Sequence, residues 1–193
     1  MNIPIHQRNQ PYTAPYFRAE VFDHVNFLKF FASWIKPNNY VEYGIRSGSS
    51  FNAILPYCKT AHGVDIEDLT FQVSEPHKFY KMSTRKFGQE ILPELKIIDM
   101  AFIDADHESS SVCQDFDDIF PYVNDDGFIF LHDTYPTVPQ FTSPIYCNDA
   151  WKVSKMINEK YVKNGLCEML TIPICPGLTM VRKISKEPLP WLK

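Results

Sequence analysis

The sequence has no paired cysteines and no long apolar run, and each absence excludes a class of protein. Its five cysteines are scattered without a CxxC pair, so neither a disulfide framework nor a zinc knuckle is indicated. No apolar run approaches the roughly 20 residues of a membrane span. The amino terminus is polar where a signal peptide needs an apolar stretch. We therefore expect a cytoplasmic protein without a membrane partner.

An excess of positive charge is missing as well. The 19 basic and 23 acidic side chains give a formal net charge of −4. Because such a chain offers no cationic field to a phosphate backbone, nucleic acid is not an expected partner. Only 7 glycines stand against 15 phenylalanines and 10 tyrosines, which suits a bulky core or an aromatic-lined pocket. The 193 residues, 45% of them hydrophobic, fit one domain.

What the chain does contain is an alternation of strand and helix patterns. Residues 1–19 carry three prolines and no periodic apolar face, which predicts an extended amino-terminal arm before a single domain over 20–193. Apolar stripes predict helices over 21–35, 51–55, 112–123 and 150–161. Short apolar runs predict strands over 40–43, 61–64, 79–82, 97–103, 127–131, 167–172 and 178–183. The last two are expected to pair antiparallel. The pattern predicts an α/β fold, a mostly parallel central sheet with helices on both faces and a C-terminal antiparallel strand pair.

Two local features of the predicted helices carry expectations of their own. The serines at 109–111 precede a helical stripe and can supply its N-cap. The acids of that helix and its following turn are interpreted as one exposed edge without a functional role. They are Asp115, Asp117, Asp118, Asp125 and Asp126.

Polar residues follow the predicted parallel strands where each one ends, which is where ligands bind in this architecture. The turn EYGIRSGSS over 42–50 has glycines where the chain must pass close to a ligand before a helix opens. Its first acid, Glu42, would repel a pyrophosphate but attract the ammonium of a bound amino acid. Asp65 follows after roughly 20 residues, a distance at which an acid can bind ribose hydroxyls. Because the turn lacks GxGxxG spacing, a nicotinamide-dependent oxidoreductase is disfavoured.

These segments resemble those of a known family. EYGIRSGSS is similar to the first motif of class I S-adenosylmethionine-dependent methyltransferases, although Arg46 and Ser47 stand between its glycines. VDIE resembles their second strand with its ribose-binding acid. MST, ILPELK, DMAFIDADH and FLHDT follow in an order and spacing similar to those of catechol O-methyltransferase-like enzymes and related small-molecule methyltransferases with an FIDxDH segment. The likeness spans about 38–133 and implies a Rossmann-like methyltransferase fold with S-adenosyl-L-methionine as cofactor.

The resemblance also implies residue roles in cofactor binding. Glu42, Gly44, Gly48 and Ser50 would hold the methionine part, Asp65 the ribose, and Ile66 and Ser83 the adenine. Asp104 is a further candidate for a bond to the cofactor.

Two aspartates end neighbouring strands and suggest a metal. The carboxylates of Asp104 and Asp133 could converge as hard oxygen ligands for Mg²⁺. Such an ion would bind the acceptor hydroxyl and lower its pKa. In the catechol-type relatives an amide side chain supplies a third ligand, and Thr134 stands at the matching position. The alternative is that Asp104 bonds the cofactor or backbone amides while Asp133 caps the next element, so the sequence leaves the metal requirement open.

Two histidines are candidates for the general base. His107, three residues after Asp104, stands where the relatives keep a basic side chain, and imidazole titrates in a useful range. His132 is the second candidate, but neighbouring side chains of a strand point to opposite faces, so it and Asp133 are not both expected to face the substrate. For both histidines a structural role beside a carboxylate is the alternative. The remaining histidines have no metal-ligand spacing and are assigned to surface or packing, namely His6, His24, His62 and His77.

The leading hypothesis is a methyltransferase that acts on a hydroxyl of a small-molecule acceptor, with Mg²⁺ assistance as an option. The loop over 134–148, with Tyr135, Phe141 and Tyr146, and the amino-terminal arm are the expected lids. A noncatalytic S-adenosylmethionine-binding or scaffold subunit is the alternative of a different class. The acceptor and the oligomeric state, including a homo-oligomer, are left open.

Overall fold

A computed structural model describes residues 23–95 and 97–185, which build one seven-stranded sheet with helices around it. The strands are β1 Asn39–Tyr43, β2 Thr60–Asp65, β3 Lys78–Lys81, β4 Ile98–Ile103, β5 Val123–His132, β6 Cys167–Ile172 and β7 Leu178–Lys183. The α-helices are α1 His24–Ile35, α2 Ser49–Ile54, α3 Thr84–Glu90, α4 Ser109–Ile119 and α5 Val153–Ile157. The predicted arm over 1–19 lies outside the described residues.

The sheet has the order β3-β2-β1-β4-β5-β7-β6. Strands β1 to β5 run parallel, whereas β7 is antiparallel to both β5 and β6. Tyr43 of β1 pairs with Val64 of β2 on one side and with Ile103 of β4 on the other. The carboxyl ends of these strands therefore lie at one edge, which brings the polar residues that follow them together.

Each face of the sheet carries its own apolar core. Tyr43 and Phe116 belong to one cluster, and Tyr40, Phe102 and Phe130 belong to the other, all of them fully buried. The aromatic richness of the sequence thus serves the core on both faces, and alternation along β1 sends Tyr40 and Tyr43 to opposite sides.

Helix α1 follows from its sequence signals. Asp23 accepts a hydrogen bond from the backbone N–H of Asn26 at 2.7 Å and so caps the helix start. Leu28 and Ala32 of the predicted stripe are fully buried. Lys36 adopts a left-handed conformation, with φ of 49°, and Pro37 cannot continue the helix.

All seven predicted strands and the antiparallel pair are present, which confirms the predicted fold class. Helix α3 was not predicted, because only one of its residues, Phe87, is buried and a helix with one apolar contact shows no stripe. The predicted helix over 112–123 ends at Ile119, where a 3₁₀ turn, Phe120–Tyr122, leads directly into the long strand β5. Within the described ranges no helix is long and apolar enough to cross a membrane.

Two expectations about helix α4 were wrong. The serines do not cap it, because they lie inside its first turn, and Asp149 accepts hydrogen bonds from the backbone N–H and hydroxyl of Ser109 at 2.7 and 3.0 Å. Asp115 is not on an exposed edge but is 3% exposed, and burial raises its pKa to about 7. Asp115 lies on the buried side of the helix, three residues after Val112 and four before Ile119, whereas the acids that follow it, Asp117 and Asp118, are half-exposed.

Candidate active site

The glycine turn after β1 is packed tightly against the end of β4. Gly44 has φ of +84°, and a Cβ atom there would lie 2.2 Å from the carbonyl oxygen of Asp104. The backbone N–H of Asp104 donates to the carbonyl of Tyr43 at 2.9 Å. Gly48, with φ of +78°, stands at the start of α2, and a Cβ there would lie 2.2 Å from the ring of Phe71. Both positions therefore require glycine, as expected of a turn that passes close to other groups.

Glu42 lies beneath this turn and has no exposed surface. The hydroxyl of Tyr40 donates to one of its carboxyl oxygens at 2.6 Å, and the hydroxyl of Ser50 donates to the other. Burial raises the pKa of Glu42 to about 8, although both hydroxyls oppose the shift. Glu42 is therefore mainly protonated at neutral pH and holds Ser50 in place.

Asp65 joins the loops that follow β1 and β2. Its carboxylate accepts the backbone N–H of Arg46 at 2.8 Å and that of Glu67 at 2.9 Å, one on each oxygen. Arg46, which lies between the two glycines of the turn, adopts a left-handed conformation with φ of 48°. Ile66 is exposed beside Asp65, and Ser83 is exposed at the start of α3, where its hydroxyl accepts from the N–H of Lys86. Ser83 has no contact with the glycine turn among the bonds of the described residues.

Four of the predicted side chains meet at the ends of β4 and β5. His107 Nε2 lies 3.0 Å from Asp133 Oδ2 and 3.9 Å from Asp104 Oδ1. His132 Nδ1 lies 3.1 Å from Asp104 Oδ1 and 3.5 Å from Asp133 Oδ1. The site therefore contains two carboxylates and two imidazoles in alternation, which we call the aspartate–histidine cluster.

The expectation that His132 and Asp133 point to opposite faces was wrong. Strand β5 ends at His132, and Asp133 adopts a left-handed conformation with φ of 58°, so the alternation stops between them. The buried thiol of Cys147 donates a hydrogen bond to Asp133 Oδ1 at 3.4 Å, so it contacts the cluster on one side. Thr134 is buried and accepts a hydrogen bond from the hydroxyl of Thr179 at 2.8 Å.

Ion pairing governs the charges of the cluster. The hydrogen bond with Asp133 raises the pKa of His107 to about 9, against the effect of burial. Burial alone would lower the pKa of His132, but the carboxylates of Asp104 and Asp133 hold it above its ordinary value. Burial would raise the pKa of Asp133, yet its partners His107 and His132 keep it below the ordinary value.

Sequence reasoning missed His24, which belongs to this site. It begins helix α1, and its ring lies 4.0 Å from the ring of His132, centroid to centroid. Burial, and next the charge of His132, lower the pKa of His24 to about 4. No spacing in the sequence could reveal this contact, because the two residues lie about 110 positions apart and are brought together only by the packing of α1 on the sheet.

The loop over 134–148 is anchored on the cluster. The carbonyl of Tyr146 accepts a hydrogen bond from His107 Nδ1, and the N–H of Asp149 donates to the carbonyl of His107 at 3.3 Å. Phe141 is buried, whereas Tyr135 and Tyr146 are 51% and 38% exposed. Two of its three aromatic residues thus offer surface beside the cluster.

The molecule is similar to known methyltransferases. Residues 41–134 match the family model of a methyltransferase domain. No curated protein matches the sequence significantly. A methyltransferase of Podospora anserina bound to S-adenosylhomocysteine has a TM-score of 0.65 at 14% identity, over 89% of this chain and 84% of that chain.

Two further solved structures share the fold. An O-methyltransferase of Bacillus cereus in complex with S-adenosylhomocysteine has a TM-score of 0.63 at 12% identity, over 92% of this chain and 87% of that chain. The MycE methyltransferase of the mycinamycin biosynthetic pathway, in complex with Mg and S-adenosylhomocysteine, has a TM-score of 0.61 at 14% identity, over 87% and 51% of the two chains. The sheet and the matched segment are similar to those of class I S-adenosylmethionine-dependent methyltransferases. The family model covers residues 41–134, from β1 to Thr134, and this match confirms the resemblance found in the sequence.

Proposed function

We propose that this protein transfers the methyl group of S-adenosylmethionine to a hydroxyl oxygen of a small-molecule acceptor. The observation that carries the proposal is the position of the aspartate–histidine cluster. Its member Asp104 touches the glycine turn at Gly44, and His107 keeps 35% of its side chain exposed. Acid and imidazole groups thus lie directly beside the turn that would hold the cofactor.

The cofactor would lie along the carboxyl edge of β1 and β2. Gly44 and Gly48 leave the turn free of side chains, so the methionine part can approach the backbone. Ser50 and Asp104 are the polar groups next to that approach, and Glu42 would act by orienting Ser50. Each oxygen of Asp65 accepts only one N–H, so lone pairs are left for the ribose hydroxyls. The exposed Ile66 and Ser83 would border the adenine.

In the reaction, the acceptor oxygen attacks the methyl carbon in line with the breaking carbon–sulfur bond. The bonding pair moves to sulfur, which leaves S-adenosylhomocysteine, and the hydroxyl proton must pass to a base. His107 is the proposed base, because Nδ1 donates to the Tyr146 carbonyl and Nε2 is the nitrogen directed at the cluster.

His107 can act as a general base only when its Nε2 is unprotonated. Nε2 lies 3.0 Å from Asp133, and this pairing favours the protonated imidazolium. His107 can accept a proton only when Asp133 is engaged elsewhere, for instance by the acceptor hydroxyl. His132 is less suited, because only 7% of its side chain is exposed and its Nδ1 is bonded to Asp104.

The donor set also fits a divalent cation of the kind that the family resemblance suggests. Asp104, His107 and Asp133 each offer one ligand atom, and these atoms all lie within 4.8 Å of one another. Thr134 accepts a bond from Thr179, so His107 would be the third ligand, and it could not act as the base while its Nε2 held the ion. A bound Mg²⁺ would supply Lewis acidity that lowers the pKa of the acceptor hydroxyl.

The test is methyl transfer from isotopically labelled S-adenosylmethionine to a panel of hydroxylated acceptors, followed by mass spectrometry, with Mg²⁺ present or chelated. We expect labelled ether products, and we expect His107→Gln to lower turnover at least 100-fold with cofactor affinity within threefold of the wild type. The matched control is His62→Gln, a histidine of β2 that contacts Tyr80 away from the cluster.

Cofactor binding without turnover of any acceptor would favour the noncatalytic S-adenosylmethionine-binding subunit. Equal turnover by His107→Gln and the wild type would remove His107 from the role of base.

A further inference from the structure

A second donor set shares Asp104 with the site described above. His24, Asp104 and His132 each offer one ligand atom, and these atoms all lie within 4.8 Å of one another. The three residues come from α1, from the connection after β4 and from the end of β5. The set shares Asp104 and His132 with the aspartate–histidine cluster, and His24 is the member that the methyl-transfer proposal does not use.

Two nitrogen atoms in this set are buried without a hydrogen-bond partner. They are Nδ1 of His24 and Nε2 of His132, which find none among the atoms of residues 23–95 and 97–185. His132 is 8% exposed, so water does not readily satisfy its Nε2. Buried polar atoms are nearly always paired, and an unpaired one requires an explanation such as an absent ion.

The rings are held in place by their surroundings. His24 stacks on Phe102 at 6.1 Å between ring centroids, and His132 meets the same phenylalanine edge-on at 6.2 Å. Asp104 Oδ1 fixes His132 by the 3.1 Å contact with Nδ1. The 3.1 Å separation is close to that of two atoms bound to one ion, so this pair needs little movement to share a metal.

The geometry points to a transition-metal site formed by His24, Asp104 and His132. Two imidazoles with one carboxylate suit Mn²⁺, Fe²⁺, Co²⁺ or Zn²⁺, whereas Mg²⁺ prefers a set of oxygens. Metal–ligand bonds of about 2.0–2.2 Å require these atoms to draw together by small side-chain rotations. A bound ion would tie the start of α1 to the ends of β4 and β5, and it would compete for Asp104 with a cation at the other donor set.

The test titrates metal-free full-length protein with Co²⁺, Zn²⁺ and Mg²⁺, by calorimetry and by the visible absorption of bound Co²⁺. We expect one equivalent of Co²⁺ or Zn²⁺ to bind at least tenfold more tightly than Mg²⁺ and to raise the melting temperature. His24→Gln should weaken Co²⁺ binding at least tenfold, and His107→Gln, the matched control, should leave it within threefold. An absorption band of thiolate-bound Co²⁺ would place the ion on a cysteine and overturn the site.

Unaltered Co²⁺ binding by His24→Gln would overturn the proposal, as would the absence of Co²⁺ and Zn²⁺ binding by the wild type. Binding lost in Asp133→Asn but kept in His24→Gln would place the ion in the other donor set and overturn it as well. Circular dichroism of each metal-free variant shows whether it is folded, and Asp104→Asn gives a second test should His24→Gln unfold. Cofactor binding is measured separately, so failure of the methyltransferase proposal and failure of the metal site are distinguishable.

Discussion

Replacing Glu42 by glutamine tests the charge state of the residue on which the glycine turn rests. Its pKa is raised from 4.5 to about 8, so the native protein binds a proton that the unfolded chain releases between these values. The unfolded state therefore gains stability relative to the native state as pH rises through this window, with no further change above pH 8. At about 1.4 kcal/mol per pKa unit, the wild type should lose up to about 5 kcal/mol over the window.

Glutamine has nearly the same shape as protonated glutamic acid and does not ionise. Its amide can replace the acid O–H as a donor to Tyr40 or Ser50, whose hydroxyls can turn. We measure the free energy of unfolding in urea by circular dichroism at pH 5 and pH 8. The difference between the variant and the wild type should grow in the variant's favour by up to about 4 kcal/mol from pH 5 to pH 8. The control Glu90→Gln, on the exposed face of α3, should show no such gain.

Parallel pH profiles of Glu42→Gln and the wild type would contradict this prediction, because they would mean that Glu42 is ionised in the folded protein. A calorimetric titration with S-adenosylmethionine gives a second readout. A neutral Glu42 that only orients Ser50 predicts an affinity within about threefold of the wild type. A loss of tenfold or more, with unaltered stability profiles, would show instead that an ionised carboxylate meets the ammonium of the cofactor.

Three further predictions concern other parts of the chain. Asp65→Asn removes the charge facing the proposed ribose, so calorimetry should show at least tenfold weaker S-adenosylmethionine binding. The control is Asp68→Asn, an exposed aspartate that pairs with Lys81, and this variant should bind the cofactor as the wild type does. Gly44→Ala places a Cβ 2.2 Å from a backbone oxygen, so urea unfolding should show a free energy of unfolding lower by more than about 3 kcal/mol. The control Gly165→Ala should lower it by only about 1 kcal/mol, because its added Cβ meets nothing within 4 Å. Asp115→Asn should become more stable than the wild type by up to about 4 kcal/mol as pH rises from 4 to 7, because the buried acid has a pKa of about 7 and its ionisation is disfavoured in the folded state. The same stability difference between the two proteins in urea unfolding at pH 4 and at pH 7 would contradict this.

The fold was predictable because its signals are local. Strand β4 is a mostly apolar run that ends before Asp104, and β5 carries a similar run over 128–131 that ends at His132. The order of the strands, β3-β2-β1-β4-β5-β7-β6, is set by long-range pairing and was not predicted. Helix α3 shows where local signals fail, since a helix with one buried residue, Phe87, has no apolar stripe to detect.

The site was predictable as a set of strand-end residues but not as a geometry. The sequence placed Asp104, His107, His132 and Asp133 at two neighbouring strand ends, and the parallel sheet brings them together. It could not show that a left-handed Asp133 turns back toward His132, because backbone conformation at a strand end is set by the following loop. Nor could it show His24, whose contact with His132 arises from helix packing alone.

The most direct test of the methyltransferase account is a calorimetric titration of the purified protein with S-adenosylmethionine and S-adenosylhomocysteine, with NAD as the control ligand. We expect micromolar binding of both methionine-derived ligands, no binding of NAD, and at least tenfold weaker binding of both ligands by Asp65→Asn. Binding of NAD, or of none of the three ligands, would contradict it.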